Sequence, residues 1–181
     1  AISTGTSGIE VGQAKGETAA MQDTRARLLA LVDEVGRARV WGREGSEENR
    51  VAIDGLLAMR NGDYEAADEA LSRALAAVDL RMVRSSLFLA RGKVRYLLKE
   101  FQRALADLHE AERVRPAQAS LREFAGMVHH ALGEEAAIRG EDPIPEFRRS
   151  IQEFDESLRL DPTDISVLGF RGNVYARLGF Q

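Results

Sequence analysis

The sequence has no cysteine among its 181 residues, which excludes disulfides, thiolate nucleophiles and cysteine-based zinc sites. Histidine is nearly as scarce, with only His109, His129 and His130. Two histidines chelate from one helix at a spacing of three or four, whereas adjacent ones point about 100° apart. No metal site is therefore expected. Long apolar runs are missing too: the longest, residues 28–32 (LLALV), falls far short of the roughly 20 residues that cross a bilayer. A surplus of positive charge is also lacking. Lys and Arg number 25 against 29 Asp and Glu, a net charge of −4 that offers no broad attraction to phosphate backbones or anionic lipid. Nucleic acid and membrane insertion are thus set aside as partners, and no secretory signal is read at the start. No acid/base dyad, nucleophile–histidine arrangement or glycine-rich loop between strand and helix occurs. We expect no enzyme activity and no cofactor.

What remains is a globular composition, 44% apolar and 30% charged. It fits a soluble chain without choosing between cytoplasm and periplasm, and the excess of Arg over Lys points to a GC-rich bacterial source. Position 1 is Ala, so a processed chain or a piece of a longer one is expected.

The pattern emerges at longer range. Gly55, Gly92, Gly126 and Gly172 lie inside apolar, helix-like stretches, at separations of 37, 34 and 46. Small residues follow at Ala67, Ala104 and Ser150, by 12, 12 and 24 positions. Each has an aromatic three positions before it (Tyr64, Phe101, Phe147) and Leu71, Leu108 or Phe154 four positions after it. Ala74, Ala111 and Ser157 follow in turn, and Pro116 and Pro162 close two of the units. A glycine inside a helix costs about 1 kcal/mol relative to alanine. Close approach of a second, antiparallel helix carrying the small residue is the compensation we infer. A single pair cannot bury its apolar face, so pairs must stack.

This pattern resembles the tetratricopeptide repeat family. Residues 85–118, SSLFLARGKVRYLLKEFQRALADLHEAERVRPAQ, carry Phe88, Gly92, Tyr96, Phe101, Ala104, Leu108, Ala111 and Pro116 at signature positions. Residues 48–81 precede them, with Gly62-Asp63-Tyr64 matching the family's inter-helix turn. Residues 119–164 diverge, with Arg122 and His129 at large apolar positions and Ser150 and Ser157 at alanine positions. Residues 165–181, with Leu168, Gly172, Tyr175 and Gly179, read as the first helix of a further, partial unit. The resemblance implies an all-α, right-handed solenoid of stacked helix pairs acting as a protein–protein interaction module.

In that family the first helices line a concave groove. Carried over, the groove takes Leu56, Met59 and Arg60, then Leu89, Lys93 and Leu97, then Met127 and His130, then Asn173 and Arg177. A peptide or helix of another protein is the expected ligand, with an apolar stripe below it and Lys93 fixing an acidic group. The Lys/Asn/Arg clamp by which some members hold chaperone C-termini is absent, since Ala52, Leu56, Ala90, Ser120 and Phe124 occupy its positions. The alternatives are a self-assembling structural scaffold, with homo-oligomers, or a regulatory domain of a larger enzyme.

The remaining segments are distinct. Residues 1–17 are rich in Gly, Ser and Thr and read as a flexible arm; Gly12 and Lys15 lack the Gly-Lys-Ser/Thr of a phosphate loop. Residues 18–47 put Met21, Leu28, Leu31, Val32 and Val35 on one helical face, as a capping helix with a linker would. In the third unit the inserted segment 133–146, GEEAAIRGEDPIPE, either lengthens the first helix to about Ile138 or projects as a loop.

Overall fold

A computed structural model describes residues 47–77 and 81–179 of the chain. The proposed arm and most of the capping segment lie outside the described residues. Among the described residues seven helices follow one another: α1 (Glu47–Asn61), α2 (Tyr64–Ala77), α3 (Arg81–Leu97), α4 (Phe101–Val114), α5 (Ala119–Ile138), α6 (Ile144–Leu160) and α7 (Ile165–Arg177). Among the described residues there is no strand.

The helices pack as pairs, α1 with α2, α3 with α4, and α5 with α6. Their direction can be read from two glycines. A methyl placed on Gly126 would lie 2.6 Å from the Phe154 ring, and one on Gly133 would lie 2.5 Å from the Phe147 ring. Advancing seven residues along α5 retreats seven along α6, so the pair is antiparallel. Each second helix then packs on the first helix of the next pair, which stacks the pairs into an α-solenoid.

The turns inside the pairs share one hydrogen-bond pattern. Gly62 donates to the Met59 carbonyl at 3.2 Å and Asp63 to Ala58 at 3.0 Å; Lys99 and Glu100 repeat this to Tyr96 and Arg95, and Gly140 and Glu141 to Ala137 and Ala136. This is the closure that satisfies helix C-terminal carbonyls through a residue in the left-handed region. Gly62 and Gly140 adopt φ of 83° and 74° without a Cβ penalty, whereas the second turn puts Lys99 there, at 60°.

The repeat period fixes the core. Leu71, Leu87, Val94, Val128, Phe154, Val167 and Val174 are fully buried. Each such side chain contributes about 1.5–3 kcal/mol when removed from water. The small residues lie at helix crossings: Ala67, Ala74, Ala104 and Ala111 have no exposed surface. Where the third pair has serine instead, the hydroxyls are satisfied by backbone. Ser150 Oγ donates to the Gly126 carbonyl at 2.7 Å and Ser157 Oγ to the Ala119 carbonyl at 2.9 Å.

The inserted segment takes the first of its two expected forms. Helix α5 continues to Ile138, and α6 begins at Ile144, three residues before the aromatic that opens the other second helices. The extra turn of α5 reaches over Phe147 because Gly133 leaves room for the ring.

Candidate functional site

The first helices α1, α3, α5 and α7 lie side by side: α1 meets α3 and α5 meets α7. Helix α3 meets α5 where Phe124 lies 5.5 Å from the Tyr96 ring and 5.6 Å beneath the Lys93 Nζ. Tyr96 also touches Phe101, with ring centroids 5.4 Å apart, and burial pushes its hydroxyl pKa up to about 12.

The ten residues expected to line a groove on this layer divide into two groups. Leu56, Met59, Leu97 and Met127 are buried, with exposures of 4–8%, and belong to the hydrophobic core. Their apolar character serves the packing between helices, so the continuous apolar stripe expected from the sequence is not an open surface. Leu89, Lys93 and His130 are half-buried, while Arg60, Asn173 and Arg177 are exposed. Leu89 and Lys93 stand four residues apart on α3, so they share a face. The accessible layer therefore has few apolar contacts and several polar ones.

Toward α7 the polar groups are coupled. Arg177 Nη2 donates to Glu134 Oε2 at 3.0 Å, tying α7 to α5. His130 Nε2 lies 3.8 Å from Glu134 Oε1, is buried, and has no hydrogen-bond partner among the described residues. The ring packs 5.7 Å from Phe147. Burial lowers the His130 pKa; Glu134 opposes that shift and Arg177 adds to it. His129 points elsewhere, with Nδ1 2.7 Å from Glu146 Oε2 on α6. Among the described residues no group of three or more His, Cys, Asp or Glu is placed to hold a metal ion.

The sequence reading missed the strongest polar feature, a set of arginines that bridge second helices. Arg91 on α3 makes two hydrogen bonds to Asp107 on α4, at 3.0 and 2.7 Å, and a third to Ser72 on α2 at 2.9 Å. Arg95, one turn later, donates to the same Asp107 at 2.9 Å and to Asp68 on α2 at 2.7 Å. Asp107 is 2% exposed and Arg95 8%, so these charges depend on one another. At the next junction Arg122 on α5 bridges Glu112 on α4 and Glu153 on α6. Arg122 appears in the sequence as a departure from an apolar position; the structure makes it a tie between neighbours. Arginine spacing could have signalled the set, since Arg91 and Arg95 lie four apart on one helical face.

Solved structures show the same architecture. A structure of MamA aligns over 88% of this chain and 81% of its own, at a TM-score of 0.62 and 17% identity. The fold is that of a tetratricopeptide-repeat-like α-solenoid. A further MamA structure, MamA AMB-1, covers 89% of this chain and 79% of its own at a TM-score of 0.57 and 18% identity. A tetratricopeptide repeat protein from Parabacteroides merdae gives a TM-score of 0.47 at 13% identity, over 89% of this chain and 74% of its own. No family model matches the sequence, and neither does any curated protein.

Proposed function

We propose that this chain is a non-enzymatic protein-interaction scaffold whose first-helix layer holds a segment of a partner protein. The observation that carries the reading is the Lys93 ammonium over the Phe124 ring, with half-buried Leu89 one turn earlier on the same face of α3. A half-buried leucine and an ammonium group held over an aromatic ring form an anchor for one apolar side chain beside one acidic group. His130, Asn173 and Arg177 extend this surface along α5 and α7, and Arg60 extends it at α1. The ligand is a peptide or helix of another protein with an apolar residue close to a carboxylate. Because Leu56, Met59, Leu97 and Met127 belong to the core, they support the layer from below and set its shape.

Selection from a random peptide display library tests the reading. Enriched peptides are expected to share an apolar–acidic pair and to lose binding to Leu89→Asp and Lys93→Glu proteins that keep their helical spectrum. Enriched peptides that bind both variants as well as the parent would sink the proposal.

A further inference from the structure

The gap between successive second helices is built differently at its two junctions. Gly92 and Gly126 set the register on the first helices, and Ala67, Ala104 and Ser150 set it on the second. At the first junction Arg91 and Arg95 rise from α3 into the gap, where Asp107 on α4 and Asp68 and Ser72 on α2 receive them. In the same register α5 carries Ala125 in place of Arg91 and His129 in place of Arg95. The walls change as well. Leu105 and His109 on α4 stand at the positions of Asp68 and Ser72, while Glu153 on α6 keeps the carboxylate of Asp107.

The second junction consequently holds a cleft, lined by Leu105, Leu108 and His109 from α4, by Ala125 and His129 from α5, and by Glu153 from α6. Where α3 fills the gap with two guanidinium groups, α5 contributes a methyl and an imidazole, and that imidazole binds Glu146 through Nδ1. Arg122, at the rim of the cleft, takes Oε1 of Glu112 and Oε2 of Glu153. One guanidinium between two carboxylates leaves an excess of one negative charge, and each carboxylate keeps a second oxygen for another donor. At the first junction, by contrast, Arg91 and Arg95 match Asp68 and Asp107 charge for charge. The cleft thus combines an apolar floor for an aliphatic stem, a carboxylate for a cationic head, and the span that guanidinium groups bridge at the neighbouring junction.

We propose that this cleft, distinct from the Leu89–Lys93 face, is a binding site for an arginine side chain of a partner polypeptide. The guanidinium lies over Ala125 with Glu153 as its acceptor, and the stem rests on Leu105 and Leu108. Arginine is favoured over lysine because a planar fork reaches Glu153 and the ring of His109 together, as Arg91 reaches Asp107 and Ser72.

The probe is the capped tripeptide acetyl-Gly-Arg-Gly-amide, titrated against the full 181-residue chain by nuclear magnetic resonance. Saturable shifts are expected at Leu105, His109, Ala125 and His129. The citrulline counterpart, which keeps the shape and loses the charge, binds about tenfold more weakly or worse. Ala125→Arg returns a guanidinium of the chain's own to the seat, so peptide binding falls about tenfold or more while the unfolding midpoint holds or rises. Ala125→Met fills the floor without a charge and weakens binding likewise, which keeps the test open if the first variant misfolds. Lys93→Glu leaves binding unchanged. No saturable shifts, equal binding of the citrulline peptide, or binding indifferent to both Ala125 variants overturns the proposal. A lysine counterpart that binds as well as arginine overturns the assignment to arginine. Binding lost with Lys93→Glu also overturns the proposal, because the peptide then sits on the first-helix layer.

Discussion

Two glycines on first helices should respond to the same substitution with opposite signs. Gly169→Ala on α7 adds a methyl into open space and removes glycine's excess conformational freedom, a gain of about 1 kcal/mol. Gly126→Ala receives the same gain, but its methyl lands 2.6 Å from one Phe154 ring carbon and 2.7 Å from another. That ring cannot swing away. Phe154 is 1% exposed, and its ring stacks on Phe170 with centroids 6.1 Å apart. Overpacking a filled core costs about 1–3 kcal/mol, so Gly126→Ala should run from neutral to about 2 kcal/mol destabilising once the propensity gain is set against it. Urea unfolding followed by circular dichroism reads both variants on one scale. A third protein, Gly126→Ala with Phe154→Leu, should be more stable than the sum of the two single changes by about 1 kcal/mol, because the smaller side chain vacates the clash. Equal stabilisation by Gly169→Ala and Gly126→Ala would refute the claim that the repeat glycines mark helix contact.

The charged network gives a second prediction: Asp107→Ala leaves Arg91 and Arg95 without their shared carboxylate and should cost about 3–5 kcal/mol in the same assay. Its control, Arg113→Ala, breaks a solvent-exposed pair with Glu110 and should leave the unfolding midpoint unchanged. A pH series tests His130. Its folded pKa lies below the ordinary 6.5, so the unfolded chain binds the proton more readily. The contribution of His130 is present above 6.5 and is lost as pH falls through that value toward the folded pKa; His130→Gln should flatten this part of the stability profile. Asp164→Ala removes the cap of α7, where Oδ1 accepts from Ser166 N at 2.9 Å and Val167 N at 3.3 Å, and should cost about 1 kcal/mol with the loss confined to α7 by hydrogen exchange.

The architecture was legible because helix contact constrains residue size. Gly92 and Ala104 must both be small for α3 and α4 to approach, and that requirement survives as a spacing in the sequence. The inserted segment was legible only as a choice, because continuing α5 and projecting a loop use the same residues; the space Gly133 leaves for Phe147 decides for the helix. The candidate site was less legible. A leucine or methionine on the accessible layer and one just beneath it look alike in sequence; on α3 only about 80° of rotation separates half-buried Leu89 from buried Leu97. Leu89 reaches the accessible side, whereas Leu97 and Met127 turn inward. The arginine ties stayed hidden for another reason. Their partners are 10 to 31 residues away, and nothing local distinguishes Asp107 from the solvent-facing acids around it.

These ties bear on how the array can vary without losing its stack. At one junction the arginines stand just before and three after the repeat glycine, as Arg91 and Arg95 beside Gly92. At the next, Arg122 stands four before Gly126, yet it still joins the second helix behind it to the second helix ahead. The shared constraint is therefore the gap between successive second helices, which needs a long cation to neutralise carboxylates from both sides; it is not one residue position. A planar guanidinium with five donors meets that need and a lysine ammonium does not. The register is held on that side of the first helices, whereas Lys93, over the Phe124 ring, and Leu89, against the core, stand on the other side of α3. Arg91→Lys should therefore lower the unfolding midpoint, read by urea unfolding, and leave peptide selection on the Leu89–Lys93 face unaltered.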